Sequence, residues 1–133
     1  MMQFFLHMKP PRTTHQTKAV RVVCGKPRFY EPQALKAARA DLKRYLTPNR
    51  PPEPLTGPLR LVTKWCYPPG KRPAPTYKTT APDTDNMIKL LKDVMTDLGF
   101  WLDDAQVASE ITEKFWASPP GIFVQVEKIG DQP

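Results

Sequence analysis

An amphipathic helix in the second half of the chain constrains its fold more than any other feature. Apolar residues recur there at spacings of three and four and form one broad stripe, made of Met87, Leu90, Leu91, Val94, Met95 and Leu98. Asp85 is a favoured N-cap residue, and Gly99 ends the pattern. A stripe of this width has to be buried, so the sequence predicts a helix packed on another layer of structure.

Patterned segments also occur on both sides of this helix. The predicted strands are residues 3–8, 19–25 with a hairpin partner directly after them, 59–67, 106–116 and 121–129. A first helix is predicted from Pro32 to Thr47. We expect the last two strands to pair antiparallel. This order predicts one domain over residues 1–133, of the α/β (α+β) class, with one mixed sheet and two main helices packed on it.

Several protein classes are disfavoured by what the chain contains. Cys24 and Cys66 are far apart and follow no secretory signal, which argues against a disulfide framework and favours a reducing cytoplasm. No zinc-ligand spacing is present. The apolar start MMQFFLHM is too short to cross a membrane. We therefore expect a cytoplasmic protein with no membrane attachment.

The charge of the chain divides sharply at residue 80. Residues 1–80 carry 16 Lys and Arg against three acids, whereas residues 81–133 carry four against ten. The net charge of +7 is typical of proteins with an acidic partner such as a nucleic acid. The acids are thus concentrated in one part of an otherwise basic protein.

Two basic segments are candidates for phosphate contacts. The loop YPPGKRPAPTYKTTAP, residues 67–82, interleaves Lys71, Arg72 and Lys78 with tyrosines and leads directly into Asp83. The first helix has a basic face that contains Lys36, Arg39, Lys43 and Arg44. The alternative for both segments is a solvated surface that only keeps the protein soluble.

The acids flank the central helix. Asp83 and Asp85 precede it and would share one face of an extended chain, and Lys89 lies one turn beyond Asp85. Asp103 and Asp104 follow the helix, which is about 20 Å long, so spacing alone does not bring the two pairs together. If they meet, their repulsion requires a cation, and all-oxygen ligands select Mg²⁺ or Mn²⁺.

A simpler interpretation of the same acids stays open. Asp85 is then only a helix cap, Asp93 and Asp97 are a solvated helix face, and Asp103 and Asp104 form a polar turn. An EF-hand is excluded, because Ile88 occupies the position where its loop requires glycine.

Two motifs resemble those of a known nuclease family. PDTDNMIKLLKDVM followed by GFWLDDAQV resembles the RusA-type Holliday-junction resolvases, whose signature is D-x-D-N-x-x-K, a helix, and a W-x-D-D-x-Q-V turn and strand. The resemblance covers residues 80–116 closely and 58–128 more loosely. It implies a Mg²⁺-dependent homodimeric endonuclease that cuts four-way DNA junctions by paired symmetric nicks, and hence a protein associated with the nucleoid.

The resemblance also assigns roles to individual residues. It implies Asp83, Asp85 and Asp104 as metal ligands, Lys89 as the catalytic lysine, and Asn86, Asp93 and Asp103 as supporting residues. In this interpretation the strand after DDAQV places Asp104 beside Asp83. The expected DNA contacts are Arg72, Lys71, Lys78, Lys36, Lys43, Arg44 and Lys114. Lys114 also occupies a characteristic position of the family, and the alternative for it is a supporting role.

The N-terminal half departs from the family pattern, and this leaves other activities open. KPPRTTHQ fits the Pro-rich turn of the family only roughly, so junction selectivity and cleavage sequence are not determined. One alternative is a nuclease for flaps or replication forks, and another is a catalytically silent protein that binds junctions or single strands. Candidate dimer contacts are Trp101, Phe115 and Trp116, with core packing as the alternative for each.

Overall fold

Two helices and a five-stranded mixed sheet share one hydrophobic core. The computed structural model describes residues 1–12, 19–23, 26–30 and 33–130, with the backbone alone for residues 19–23 and 26–30. The elements are β1 (Met2–Leu6), β2 (Ala19–Val23), β3 (Lys26–Tyr30), α1 (Gln33–Leu46), β4 (Leu59–Tyr67), β5 (Thr76–Tyr77), α2 (Thr84–Asp97), β6 (Val107–Trp116) and β7 (Gly121–Lys128). The predicted fold class is confirmed.

The strands of the sheet lie in the order β1-β7-β4-β6-β5, and β2 pairs with β3 in a separate hairpin, as predicted. The prediction that the last two strands pair with each other is wrong. β4 lies between them, parallel to β6 and antiparallel to β7. The reason is that α2 is a crossover that returns the chain beside β4, so β6 takes one edge of β4 and β7 takes the other.

One face of the sheet is buried under the helices. Leu61, Trp65 and Val124 are at most 1 % exposed, and they alternate along β4 and β7 with residues of the opposite face. The predicted stripe of α2 joins this core, together with Leu35, Leu42 and Leu46 of α1. Trp101 is fully buried and donates from its indole nitrogen to Thr96 at 2.7 Å, which makes it a core residue.

No helix in the described part of the chain is long enough and apolar enough to cross a membrane.

Candidate active site

The N-terminus of α2 presents two exposed carboxylates. The helix begins at Thr84, with Asp83 in the N-cap position and Asp85 in the first turn. The prediction that Asp85 caps the helix is therefore wrong, and residues 83–85 do not form the extended segment that the same-face argument assumed. The Asp83 side chain makes no capping hydrogen bond. Both carboxylates are stabilised by the positive end of the helix dipole, and neither is used as a cap.

Lys89 extends this group along the helix. Because α2 is regular from Thr84 to Asp97, Lys89 lies one turn after Asp85 on the same side, as predicted, and it is exposed. Asn86, between them in sequence, is only 9 % exposed. The helix thus presents two acids and one amine to solvent above a buried amide.

A cavity of about 240 Å³ lies next to Asp85 between α2 and β6, and its other wall includes Glu110 and Thr112. Glu110 is paired with Lys92 of α2, with 2.9 Å between the carboxylate and the ammonium. The buried Thr112 hydroxyl has no hydrogen-bond partner in the described part of the chain. The carboxylates of Asp85 and Glu110 give this cavity hard oxygen atoms, the ligands that a divalent cation such as Mg²⁺ prefers.

Asp103 and Asp104 lie at the other end of α2, in the turn that enters β6. The Asp103 carboxylate accepts from the Ala105 backbone nitrogen at 2.8 Å, and the Gln106 side chain accepts from the Asp103 backbone nitrogen at 3.2 Å. This reciprocal cap fixes the turn, so the Asp103 carboxylate is used by the backbone next to Asp104. Asp104 follows it and lines a second cavity with Asp93 and Asp97.

The prediction that Asp104 lies beside Asp83 in the folded chain is wrong. β6 starts at the Asp104 turn and runs back along α2, so only its far end reaches Asp83. A helix of 14 residues separates the two carboxylates by about 20 Å. Within residues 1–12 and 33–130, no three His, Cys, Asp or Glu side chains are grouped so as to hold a metal ion. One protomer therefore carries Asp83 and Asp85 at the start of α2 and leaves Asp104 at the other end of the helix.

Lys114 fixes the segment that precedes Asp83. Its ammonium donates to the carbonyl oxygens of Thr80 and Pro82, both at 2.7 Å. Two of its three donors are therefore occupied by the backbone, which supports the positioning alternative for this residue over a direct DNA contact.

Comparison with known proteins identifies the family of this chain. The family described as endodeoxyribonuclease RusA matches residues 9–127. The chain belongs to the RusA family. It is therefore an enzyme that hydrolyses DNA internally.

Two known proteins are similar to most of this chain. A crossover junction endodeoxyribonuclease rusA of Lactococcus phage r1t is 33 % identical over 108 residues, which cover 79 % of this chain and 81 % of the phage protein. The uncharacterized protein YqaN of Bacillus subtilis (strain 168) is 26 % identical over 117 residues, which cover 79 % and 82 %. The family match thus extends well beyond the two motifs and includes most of the basic N-terminal half.

In this RusA-family chain, the Pro-rich loop does not present all of its cations to solvent. Lys78 is only 5 % exposed, and its ammonium lies 4.2 Å from the ring centre of Trp116 and 5.3 Å from that of Tyr67. This burial argues against the direct phosphate contact predicted from the sequence. Lys71 and Arg72 are exposed, and the Arg72 guanidinium stacks on Trp116 at 3.9 Å. Burial, and then the charges of nearby cations, lower the pKa of Lys78.

The basic face of α1 is exposed as predicted, and it includes Lys36, Lys43 and Arg44. Arg44 pairs loosely with Asp41 at 3.3 Å, which leaves most of its guanidinium in solvent. Arg39 instead turns toward α2, where it lies 3.9 Å from Asp93. Asp93 therefore supports the packing of α1 on α2, in line with its implied supporting role.

Gln106 belongs to the second motif, but the sequence analysis assigned it no role of its own. Besides capping the Asp104 turn, its amide donates to the carbonyls of Leu55 and Gly57 at 3.0 and 3.1 Å. It therefore ties the turn that carries Asp104 to the loop before β4. The signal was present in the sequence, because Asp103 and Gln106 have the spacing of a capping box.

The proposed dimer aromatics are used inside the protomer. Trp101 and Trp116 are buried, and the ring of Phe115 stacks on that of Tyr77 with 4.8 Å between centres. The large apolar residues that the described surface exposes are Met1, Tyr77, Leu102 and Ile111, at 82, 65, 78 and 47 %.

Proposed function

We propose that this protein is a Mg²⁺-dependent, structure-specific endonuclease that resolves four-way (Holliday) DNA junctions by paired symmetric nicks. The observation that carries the proposal is the pair of exposed acids Asp83 and Asp85, in a chain of the RusA family. Asp83 makes no capping hydrogen bond, and a basic loop directly precedes it. The phage relative, named as a crossover junction endodeoxyribonuclease, supports the choice of branched DNA as substrate.

The carboxylates would hold Mg²⁺, or Mn²⁺ in its place. Asp83 and Asp85 offer hard oxygen ligands, and Asp85 lines a cavity whose other wall includes Glu110 and Thr112. A bound divalent ion would activate water and stabilise the charge that develops on the phosphate. Lys89, one turn away, would stabilise the same charge or that of the leaving oxygen.

The third aspartate would come from a second copy of the chain. Because Asp104 lies about 20 Å from Asp83 across α2, a site made of three aspartates requires Asp104 of the partner subunit. Two such sites related by a two-fold axis would also cut two equivalent strands of a junction symmetrically. We therefore propose a homodimer whose two active sites are each shared between the subunits.

The outer edge of β6 is a suitable dimer surface. β5 pairs only with its last two residues, the Lys114 carbonyl accepts from the Lys78 backbone nitrogen, and no described strand covers the edge from Val107 to Glu113. Antiparallel pairing of two β6 edges would reverse one strand against the other. The start of the partner's β6, with its Asp104 turn, would then lie at the end of this β6, where Lys114 holds the segment before Asp83. Exposed Ile111 lies in the middle of that edge.

Cleavage of defined DNA structures tests the proposed function. Labelled four-way, flap, fork and linear duplex DNA are each incubated with the protein and either Mg²⁺ or EDTA. We expect symmetric nicks in the four-way junction with Mg²⁺ and no cutting with EDTA. Preferred cutting of flaps or forks would assign another branched substrate, and binding without cutting would assign a silent junction-binding protein.

Replacing Lys89 tests its catalytic role. We expect Lys89→Ala to slow cleavage by about 10²-fold at saturating protein, the loss seen when one transition-state donor is removed. Junction affinity should change little, because the amine acts on charge that develops during the reaction. Lys92→Ala on the same helix is the matched control, since Lys92 is paired with Glu110. A loss of affinity with a normal rate at saturation would make Lys89 a binding residue.

The basic face of α1 is expected to contact phosphates. If Lys36, Lys43 and Arg44 each neutralise one phosphate, replacing all three by glutamine should reduce the slope of log K against log salt concentration by about 2.7. Junction affinity is measured by titration at several salt concentrations, with EDTA to prevent cutting. An unchanged slope would return this face to a solubility role.

A further inference from the structure

Four cationic side chains from three segments of the chain converge beside the segment that precedes Asp83. Arg72 and Lys78 both contact the ring of Trp116. Lys114 holds the Thr80 and Pro82 carbonyls. Arg12 follows Pro11, whose carbonyl accepts a 3.1 Å hydrogen bond from the hydroxyl of Tyr67, and the charge of Arg12 acts on Lys78. We call Arg12, Arg72, Lys78 and Lys114 the cation cluster.

The part of the chain that the structure describes offers the cation cluster no paired carboxylate. Within the described ranges, no salt bridge joins any of its four members to a carboxylate. Lys78 is the most unusual of them, because a lysine that is 95 % buried is ordinarily paired with an acid. Its ammonium contacts the Thr80 hydroxyl and two aromatic rings instead. Burial, and then the charges of Lys114, Arg12 and Arg72, lower the pKa of Lys78.

The four residues of the cation cluster differ in whether their side chains can contact a bound anion directly. Arg12 and Arg72 are exposed, and a planar guanidinium suits paired hydrogen bonds to phosphate oxygens. Lys78 is buried and Lys114 is committed to two carbonyls, so both act through their field and not by direct contact. Arg12 and Arg72 are thus the side chains that would contact the anion, and Lys78 and Lys114 add positive charge beside them.

We propose that the cation cluster binds one backbone phosphate of the DNA, adjacent in the strand to the phosphate that is cut. This inference rests on the proposed function, since it takes Asp83 and Asp85 as the cutting site. We place this phosphate next to the one that is cut because Lys114, a member of the cluster, donates to the carbonyl of Pro82. Pro82 is the residue directly before Asp83. A phosphate held there would fix the strand in register with the carboxylates, as backbone contacts do in protein–DNA complexes.

Neutral DNA linkages test this proposal one phosphate at a time. Four-way junctions with a single methylphosphonate at successive positions around the cut are titrated in EDTA. For the unaltered protein we expect affinity to fall about tenfold at the linkage next to the cut, the effect of one charge-assisted contact. Arg12→Gln and Arg72→Gln should bind more weakly overall but show no further loss at that linkage.

Arg50→Gln is the matched control for these variants. Arg50 is an exposed arginine beside Leu98, at the opposite end of α2 from Asp83. It should leave the linkage profile of the unaltered protein unchanged. If Arg12→Gln and Arg72→Gln also retain the full loss at every linkage, the cation cluster binds no phosphate.

Lys78→Met separates a binding role from a structural one. Methionine keeps an apolar stem against Trp116 and Tyr67 and removes the buried charge. We expect an equal or higher thermal midpoint together with a several-fold weaker junction affinity. A lower midpoint with unchanged affinity would overturn the inference and make Lys78 a structural residue.

Failure of this inference is distinguishable from failure of the proposed function. If the protein cuts no branched DNA, the proposed function fails, while the linkage profile is still measurable on whichever DNA it binds. If it cuts four-way junctions and no linkage couples to Arg12 or Arg72, only the inference fails.

Discussion

Asp83→Asn and Asp85→Asn are each expected to abolish junction cutting while junction binding is kept or strengthened. Asparagine preserves the shape of each side chain and removes the charge that would hold the metal. Loss of the several kcal/mol that a divalent ion supplies to the transition state corresponds to about 10³-fold or more in rate. Binding is retained because removing a negative charge reduces repulsion of the DNA phosphates. Cleavage is measured at saturating protein with Mg²⁺, and affinity is measured separately in EDTA.

Glu53→Gln is the control for these two variants, because Glu53 is an exposed acid in the loop before β4. It should cut at the normal rate. Folding should be unaffected in all three, since Asp83 makes no capping hydrogen bond and Asp85 is exposed. Normal cutting by Asp83→Asn or Asp85→Asn would remove the metal-site assignment and return these acids to a role at the helix dipole.

The elements of the fold were predictable because each one buries a single face. The stripe of α2 and the alternation in β4 are local patterns, and the structure buries the residues that those patterns select. The order of the strands was not predictable from such patterns. β6 and β7 both alternate, and nothing in their own residues shows that β4 separates them. That order follows from the crossover through α2, which is a property of the whole chain.

The candidate site was predicted in its residues and only partly in its arrangement. Asp83 and Asp85 are two residues apart, so both lie at the start of α2 whatever the order of the strands. Asp104 depends on the direction of β6 relative to α2, and the structure places it at the far end of the helix. The cap formed by Asp103 and Gln106, by contrast, could have been predicted from the sequence, because it depends only on a spacing of three residues.

Lys78 shows how the same composition leads to a different structural role. A loop that alternates lysines with tyrosines is typical of nucleic-acid surfaces, and two of its cations are exposed. The aromatic partners of Lys78, however, are buried core residues of β4 and β6. The sequence cannot show which rings face solvent, because Tyr67 and Trp116 are distant in the chain and meet only in the folded protein.

Mixing two inactive variants should restore cutting if the active site is shared between subunits. In a dimer of one Asp83→Asn and one Asp104→Asn subunit, one site combines intact Asp83 and Asp85 with the intact Asp104 of the other subunit. The second site carries both substitutions. We expect each variant alone to be inactive, and co-expressed heterodimers, purified by two different tags, to nick one strand without resolving the junction.

The matched control is the heterodimer of Asp83→Asn with Asp85→Asn. Both substitutions fall on the same half of the site, so each of the two sites in the heterodimer lacks one ligand and no cutting should return.

Glu110→Gln tests whether Glu110 of the same protomer, and not Asp104 of the partner subunit, is the third metal ligand, since Glu110 lines the cavity beside Asp85. Its pairing with Lys92 leads us to expect that this variant stays active. If the Asp83→Asn and Asp104→Asn subunits form dimers that stay inactive, while Glu110→Gln abolishes cutting, the site lies within a single protomer and the shared-site mechanism is wrong.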